Sequence, residues 1–99
     1  MRDSMMALTV IIDGKLITEK EDLHQHLATE LSLPEYYGNN LDALFDCLTE
    51  IAYPVHFDVQ SYELLEDSLG QYAVNLILLL RDVSDINPNI SFCTDAQCD

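Results

Sequence analysis

This sequence predicts a small α/β domain: a three-stranded parallel sheet packed with about four helices. Three observations carry that expectation. Short β-branched or apolar runs recur at residues 7–12 (ALTVII), 53–59 (YPVHFDV) and 90–92 (ISF). The segments between them place apolar residues at helical spacing. Strands separated by helices need crossover connections, which makes neighbouring strands parallel. The 99 residues suffice for one domain, with a core over about 7–92 and a short polar tail at 93–99.

Taken in order, the first strand ends at the turn pair Asp13-Gly14. Thr18 and Glu21 have capping-box spacing and open a first helix. Leu23, Leu27 and Leu31 give that helix one apolar stripe, and it runs to about Ser32 before Pro34. His24 lies beside the stripe and is read as a hydrogen-bonded group at the core edge rather than a ligand. Gly38, Asn39 and Asn40 supply turn and N-cap chemistry for a second helix from about Leu41 to Glu50. Pro54 sits at the start of the second strand, where a missing N–H matters least. A short helix over residues 61–69 ends at Gly70, and a longer, deeply buried one covers about residues 71–83. Asn87-Pro88-Asn89 is read as a turn into the last strand.

With 48% hydrophobic and 22% charged residues, the chain has the balance of a folded domain rather than a disordered one. Its charge is one-sided: 18 acidic residues face 4 basic ones, a formal net charge of -14. No Lys or Arg occurs between Lys20 and Arg81. Such a field repels nucleic acids and anionic membranes and attracts basic partners. The longest apolar run, residues 76–80, is far shorter than the roughly 20 residues that span a bilayer, and no secretory signal pattern opens the chain. A cytoplasmic location is therefore expected. Cys47, Cys93 and Cys98 are odd in number and lack paired spacing, so free thiols are expected, with Cys47 on the buried side of the second helix.

The second helix carries the main anomaly. At about 100° per residue, Leu41, Leu44, Leu48 and Ile51 form its core stripe. Asp42, Asp46 and Thr49 share another face, and Phe45 lies on the border. Two like charges at i, i+4 cost about 0.2–0.5 kcal/mol, offset in part for Asp42 by the helix N-terminus. Three explanations compete. Paired carboxylates could bind a divalent metal or act in acid–base catalysis, but no phosphate loop, HExxH or nucleophile elbow accompanies them. The face could be plain solvated surface. It could also dock a basic partner, with Tyr36, Tyr37 and Phe45 as aromatic anchors beside the acidic groups. The aromatic–acidic combination favours docking, and no catalytic residue, metal or cofactor is assigned.

Residues 22–50, DLHQHLATELSLPEYYGNNLDALFDCLTE, closely resemble the helix–loop–helix of the barstar family, bacterial inhibitors of the ribonuclease barnase. VIIDGKLI, YPVHFDV and LLLRDVSD resemble the first strand, the second strand and the end of the last long helix, so the likeness spans about residues 9–92. The resemblance implies a barstar-like fold and a 1:1 complex with a basic, barnase-like ribonuclease. The second helix and the loop before it would plug the active site, over about 1,600 Å² in total. It implies that Asp46, before Cys47, enters that site in place of a phosphate, with Asp42 and Thr49 also in contact. Tyr36 matches a tyrosine that packs on the catalytic histidine; Tyr37, Gly38 and Asn40 shape the loop; Asp82 matches an acidic contact on a later helix. Two positions depart from the family pattern. Phe45 stands where barstar has tryptophan, and Asp82 is one methylene shorter than the glutamate it replaces. Both point to a partner other than barnase itself or to weaker binding of barnase. The alternatives that remain are an acidic module for another basic protein and a divalent-metal protein using Asp42 and Asp46.

Overall fold

In a computed structural model that describes residues 7–35 and 37–95, the chain runs strand–helix–helix twice and closes on a third strand. Strand β1 is Leu8–Asp13, followed by helices α1 (Lys20–Leu31) and α2 (Leu41–Thr49). Strand β2 is Val55–Gln60, followed by α3 (Tyr62–Leu69) and α4 (Gln71–Ile86), and β3 is Ile90–Thr94. The strands form one parallel sheet in the order β1-β2-β3, with Val10 opposite Phe57 and Phe57 opposite Phe92. The predicted fold class is therefore the observed one.

Alternation along the strands decides which face is covered. Val10, Ile12, Val55, Phe57 and Val59 are buried on the inner face. They meet Leu23 and Leu27 of α1, Leu44 and Leu48 of α2, Leu65 of α3, and Leu76, Leu80 and Val83 of α4 in one core. The outer face carries His56, Asp58 and Gln60 at intermediate burial. No helix among the described residues is long and apolar enough to cross a membrane.

Several local features differ from expectation. The α1 cap is shifted by one residue. Glu19 is the N-cap, and the Asp22 carboxylate accepts hydrogen bonds from the Thr18 and Glu19 backbone N–H groups and from the Thr18 hydroxyl. Helix α4 runs three residues beyond the expected end at Val83. Strand β3 includes Cys93 and Thr94, which the sequence alone places in the polar tail. Asp95 is structural too: its carboxylate accepts from Ser61 N at 2.8 Å and Tyr62 N at 3.3 Å, capping α3 from 33 and 34 residues away. Cys93 is disulfide-bonded, so the expectation of free thiols holds for Cys47 and fails for Cys93. Cys93 stands on a strand, 3.5 Å from His56 Nε2, rather than in a loose tail, and an odd total does not prevent one pair from forming. Cys98 lies outside the described residues.

Two glycines have reasons beyond a generic turn. A Cβ on Gly14 would fall 2.2 Å from the Ser61 carbonyl oxygen and 2.8 Å from Leu65 N, so the backbone of α3 closes on it directly. Gly70, between α3 and α4, has φ +62, a conformation that side chains disfavour.

Candidate functional site

Helix α2 begins where Asn40 accepts a hydrogen bond from Ala43 N at 2.8 Å through its side-chain oxygen, an N-cap worth about 1 kcal/mol. The same side chain donates to the Gly38 carbonyl at 3.1 Å, so one residue starts the helix and folds the loop ahead of it. Gly38 and Asn40 are both exposed there. From this start the helical period sets the faces. Leu44 and Leu48 are buried, Leu41, Phe45, Cys47 and Thr49 are at intermediate burial, and Asp42 and Asp46 are exposed. The Thr49 hydroxyl donates back to the Asp46 carbonyl at 2.9 Å. Among the described residues neither Asp42 nor Asp46 has a side-chain hydrogen bond or an ion-pair partner. Burial, with the negative field of Glu50 and Asp46 added to it, pushes the Cys47 thiol up, so at neutral pH it stays protonated and apolar in character.

The two tyrosines of the loop separate. Tyr37 is 8% exposed and packs into the core instead of standing out as an anchor. Its N–H donates to the Pro34 carbonyl at 2.9 Å, and its hydroxyl bonds His24 Nδ1. His24, 1% exposed, bonds the Tyr72 hydroxyl of α4 through Nε2. Tyr37 thus ties the loop to the core, with its ring enclosed. Tyr36 lies outside the described residues.

A neutral imidazole has one donor and one acceptor nitrogen, so it satisfies both tyrosines only when one hydroxyl donates to it and the other accepts. Burial lowers the His24 pKa and Glu21 opposes that shift in part. The unfolded chain takes up this proton near pH 6.5, whereas the folded one resists it. His24's contribution to stability is therefore fully present above about pH 6.5 and is lost as pH falls toward the lower folded-state pKa. We expect the melting temperature to decline from pH 7 to pH 5.5, and His24→Gln to be less stable at pH 7 but flatter over that range. Equal slopes in the two proteins would show that His24 is not the titrating group.

Helix α4 completes the site. It packs on α2 and brings Asp82, exposed, to the same side as the α2 acidic face. A shallow groove of about 210 Å³ runs between the helices, lined by Leu41, Asp42 and Phe45 on α2 and by Asn75, Leu78, Leu79 and Asp82 on α4. Asp46 and Thr49 lie on α2 beyond the groove's lining. What holds the two helices in register is Asn87, 5% exposed at the end of α4. Its side-chain N–H₂ donates to the Leu48 and Ile51 carbonyls, each at 2.9 Å, and more weakly to Thr49 at 3.5 Å, capping the C-terminus of α2.

A family model described as Barstar (barnase inhibitor) matches residues 7–94. The chain belongs to the barstar family. A relative from Bacillus subtilis (strain 168), named "Putative ribonuclease inhibitor YrdF", is 36% identical over 77 residues, which covers 77% of this chain and 85% of that protein. The matched span takes in every element from β1 to β3, so the barstar-family likeness includes α2, the loop before it and α4 together.

One contributor to this barstar-family surface escapes sequence reasoning, and a second, His24, is read as hydrogen-bonded at the core edge but only in part. Asn87 looks like an ordinary turn residue next to proline, and His24 gives no sign that both its nitrogens are engaged. A buried polar residue predicted beside an apolar stripe is the available signal for His24; for Asn87 the local sequence carries none.

Proposed function

We propose that this protein is a non-catalytic inhibitor of a basic, barnase-type ribonuclease, forming a 1:1 complex in which α2 and the preceding loop block the enzyme's active site. The observation that carries this reading is the pair of exposed carboxylates on α2, Asp42 and Asp46, without partners among the described residues and with Asp82 added from α4. An enzyme that cleaves RNA must present cationic groups to the phosphate, and fixed carboxylates are complementary to them. The family description and the name of the 36% identical relative point the same way. Asp46 is assigned the central contact with the cationic site. Asp42, Thr49 and Asp82 flank it, Phe45, Gly38 and Asn40 give the surface its shape, and Tyr36 is assigned a stacking contact. The inhibitor would act in the cytoplasm and protect the cell that makes the enzyme.

The metal-binding alternative fares less well, because among the described residues no group of three His, Cys, Asp or Glu side chains is placed to hold an ion. Two carboxylates alone fall short of the six to eight oxygens that calcium takes.

Titrating a purified barnase-type ribonuclease with this protein, and following RNA cleavage, tests the proposal. Activity should fall linearly to an end point at one inhibitor per enzyme. Association should slow as salt rises from about 50 mM to 500 mM, because screening shortens the reach of the acidic field. Undiminished cleavage at a several-fold excess over a panel of such enzymes would remove the proposal.

A further inference from the structure

We propose that the groove between α2 and α4 is a specificity pocket, which takes one apolar side chain of the basic ribonuclease flanked by lysine or arginine. This rests on the inhibitory reading above and extends it to residues that reading does not use, Leu78 and Asn75.

The groove is built by two helical stripes. On α4, Asn75, Leu78, Leu79 and Asp82 stand at i, i+3, i+4 and i+7, one face of the helix. On α2, Leu41, Asp42 and Phe45 line the opposite wall. Leu79 is buried where it lines the groove, while Leu78 is 45% exposed and lines it with Phe45. A single exposed leucine needs no explanation. Here, however, the exposed leucine shares a cleft with a partly buried phenylalanine, and an aspartate on each helix also lines that cleft.

Charge and continuity decide the occupant. Asp42 belongs both to the groove and to the acidic face assigned to the ribonuclease, so a partner on that face covers the groove as well. Arg81, the one cation on α4, does not line it. An apolar group entering between Asp42 and Asp82 therefore brings positive charge on its flanks. A second copy of this chain, with net charge -14, would bring the wrong sign. Interfaces concentrate affinity in apolar anchors seated in such pockets and ringed by polar groups. The pocket selects among basic ribonucleases by shape, where the carboxylates select by charge.

The test compares Leu78→Asn and Leu78→Met with Leu64→Asn, measuring dissociation from a purified barnase-type ribonuclease, with Asp46→Ala run in parallel. Leu64 is also 45% exposed but lies on α3, outside the groove, so it controls for loss of a surface leucine. We expect Leu78→Asn to dissociate about 5- to 20-fold faster, with an unchanged salt dependence of association. Leu78→Met should stay within about twofold of the parent, and Leu64→Asn should match it. Melting temperatures of all variants check that the fold is intact. If Leu78→Asn dissociates like the parent while Asp46→Ala is impaired, the pocket is refuted and the inhibitory reading stands. If the parent does not bind, or Asp46→Ala binds as well as the parent, the inhibitory reading fails and the pocket falls with it.

Discussion

Replacing Asp46 by alanine should weaken inhibition of the target ribonuclease by roughly 30- to 4,000-fold while leaving the fold intact or slightly more stable. The two effects have separate origins. In the proposed complex, the Asp46 carboxylate would be set against cationic groups from which water has been removed. Deleting one member of a desolvated, hydrogen-bonded charge pair generally costs about 2–5 kcal/mol, much of it from the charge left behind. In the free protein the same side chain is exposed, has no partner among the described residues, and repels Asp42 one turn earlier. Its removal relieves about 0.2–0.5 kcal/mol of repulsion and installs a better helix former. A variant that melts at the same or a higher temperature and yet inhibits poorly is the signature of a residue kept for binding.

Asp46→Asn refines the test. It keeps the size of the side chain and one acceptor oxygen but removes the charge, so its loss should lie close to that of Asp46→Ala. If Asp46→Asn inhibits like the parent, hydrogen bonding rather than charge carries the contact. If Asp46→Ala inhibits like the parent, α2 does not enter the enzyme's site.

What could be read from the sequence was whatever depends on near neighbours. The α2 core stripe, the exposed faces of Asp42 and Asp46 and the Asn40 cap all follow from helical period and a three-residue reach. The first helix shows the limit of that reasoning. Thr18/Glu21 and Glu19/Asp22 are both plausible cap pairs one residue apart, and Asp22 wins because one carboxylate reaches three donors. Composition and spacing do not separate Tyr36 from Tyr37; only the family resemblance gives them different roles. Tyr37 turns inward to reach His24, which is held in turn by Tyr72, 48 residues further along than the histidine. Asp95 and Asn87 are turn or tail residues by composition, and their work is done on backbone 33 to 39 residues away. The acidic face was therefore legible, whereas the parts that hold it in place are tertiary and were not.

Asn87 shows how much rests on one such part. Its side chain is buried, donates at 2.9 Å to the Leu48 carbonyl in α2 and to the Ile51 carbonyl just past its end, and accepts from Asn89 N at 3.0 Å. Asn87→Ala leaves the Leu48 carbonyl with only Ile51 N at 3.3 Å, and the Ile51 carbonyl with only Asn89 Nδ2 at 3.4 Å. Each poorly satisfied buried group costs about 1–3 kcal/mol. With these residual bonds we expect a total loss of about 2–3 kcal/mol, which in a domain of this size lowers the melting temperature by roughly 10–20 °C. Asn87→Asp should be worse, because it keeps the acceptor for Asn89 but turns a negative oxygen toward the two carbonyls. Inhibition should suffer less than in Asp46→Ala, provided it is measured well below the melting temperature, because the contact residues themselves are unchanged. A loss of stability under about 0.5 kcal/mol in Asn87→Ala would mean that α2 is held on α4 by its leucines alone. A full loss of inhibition in the still-folded variant would show that the alignment of Asp42 with Asp82 depends on this one side chain.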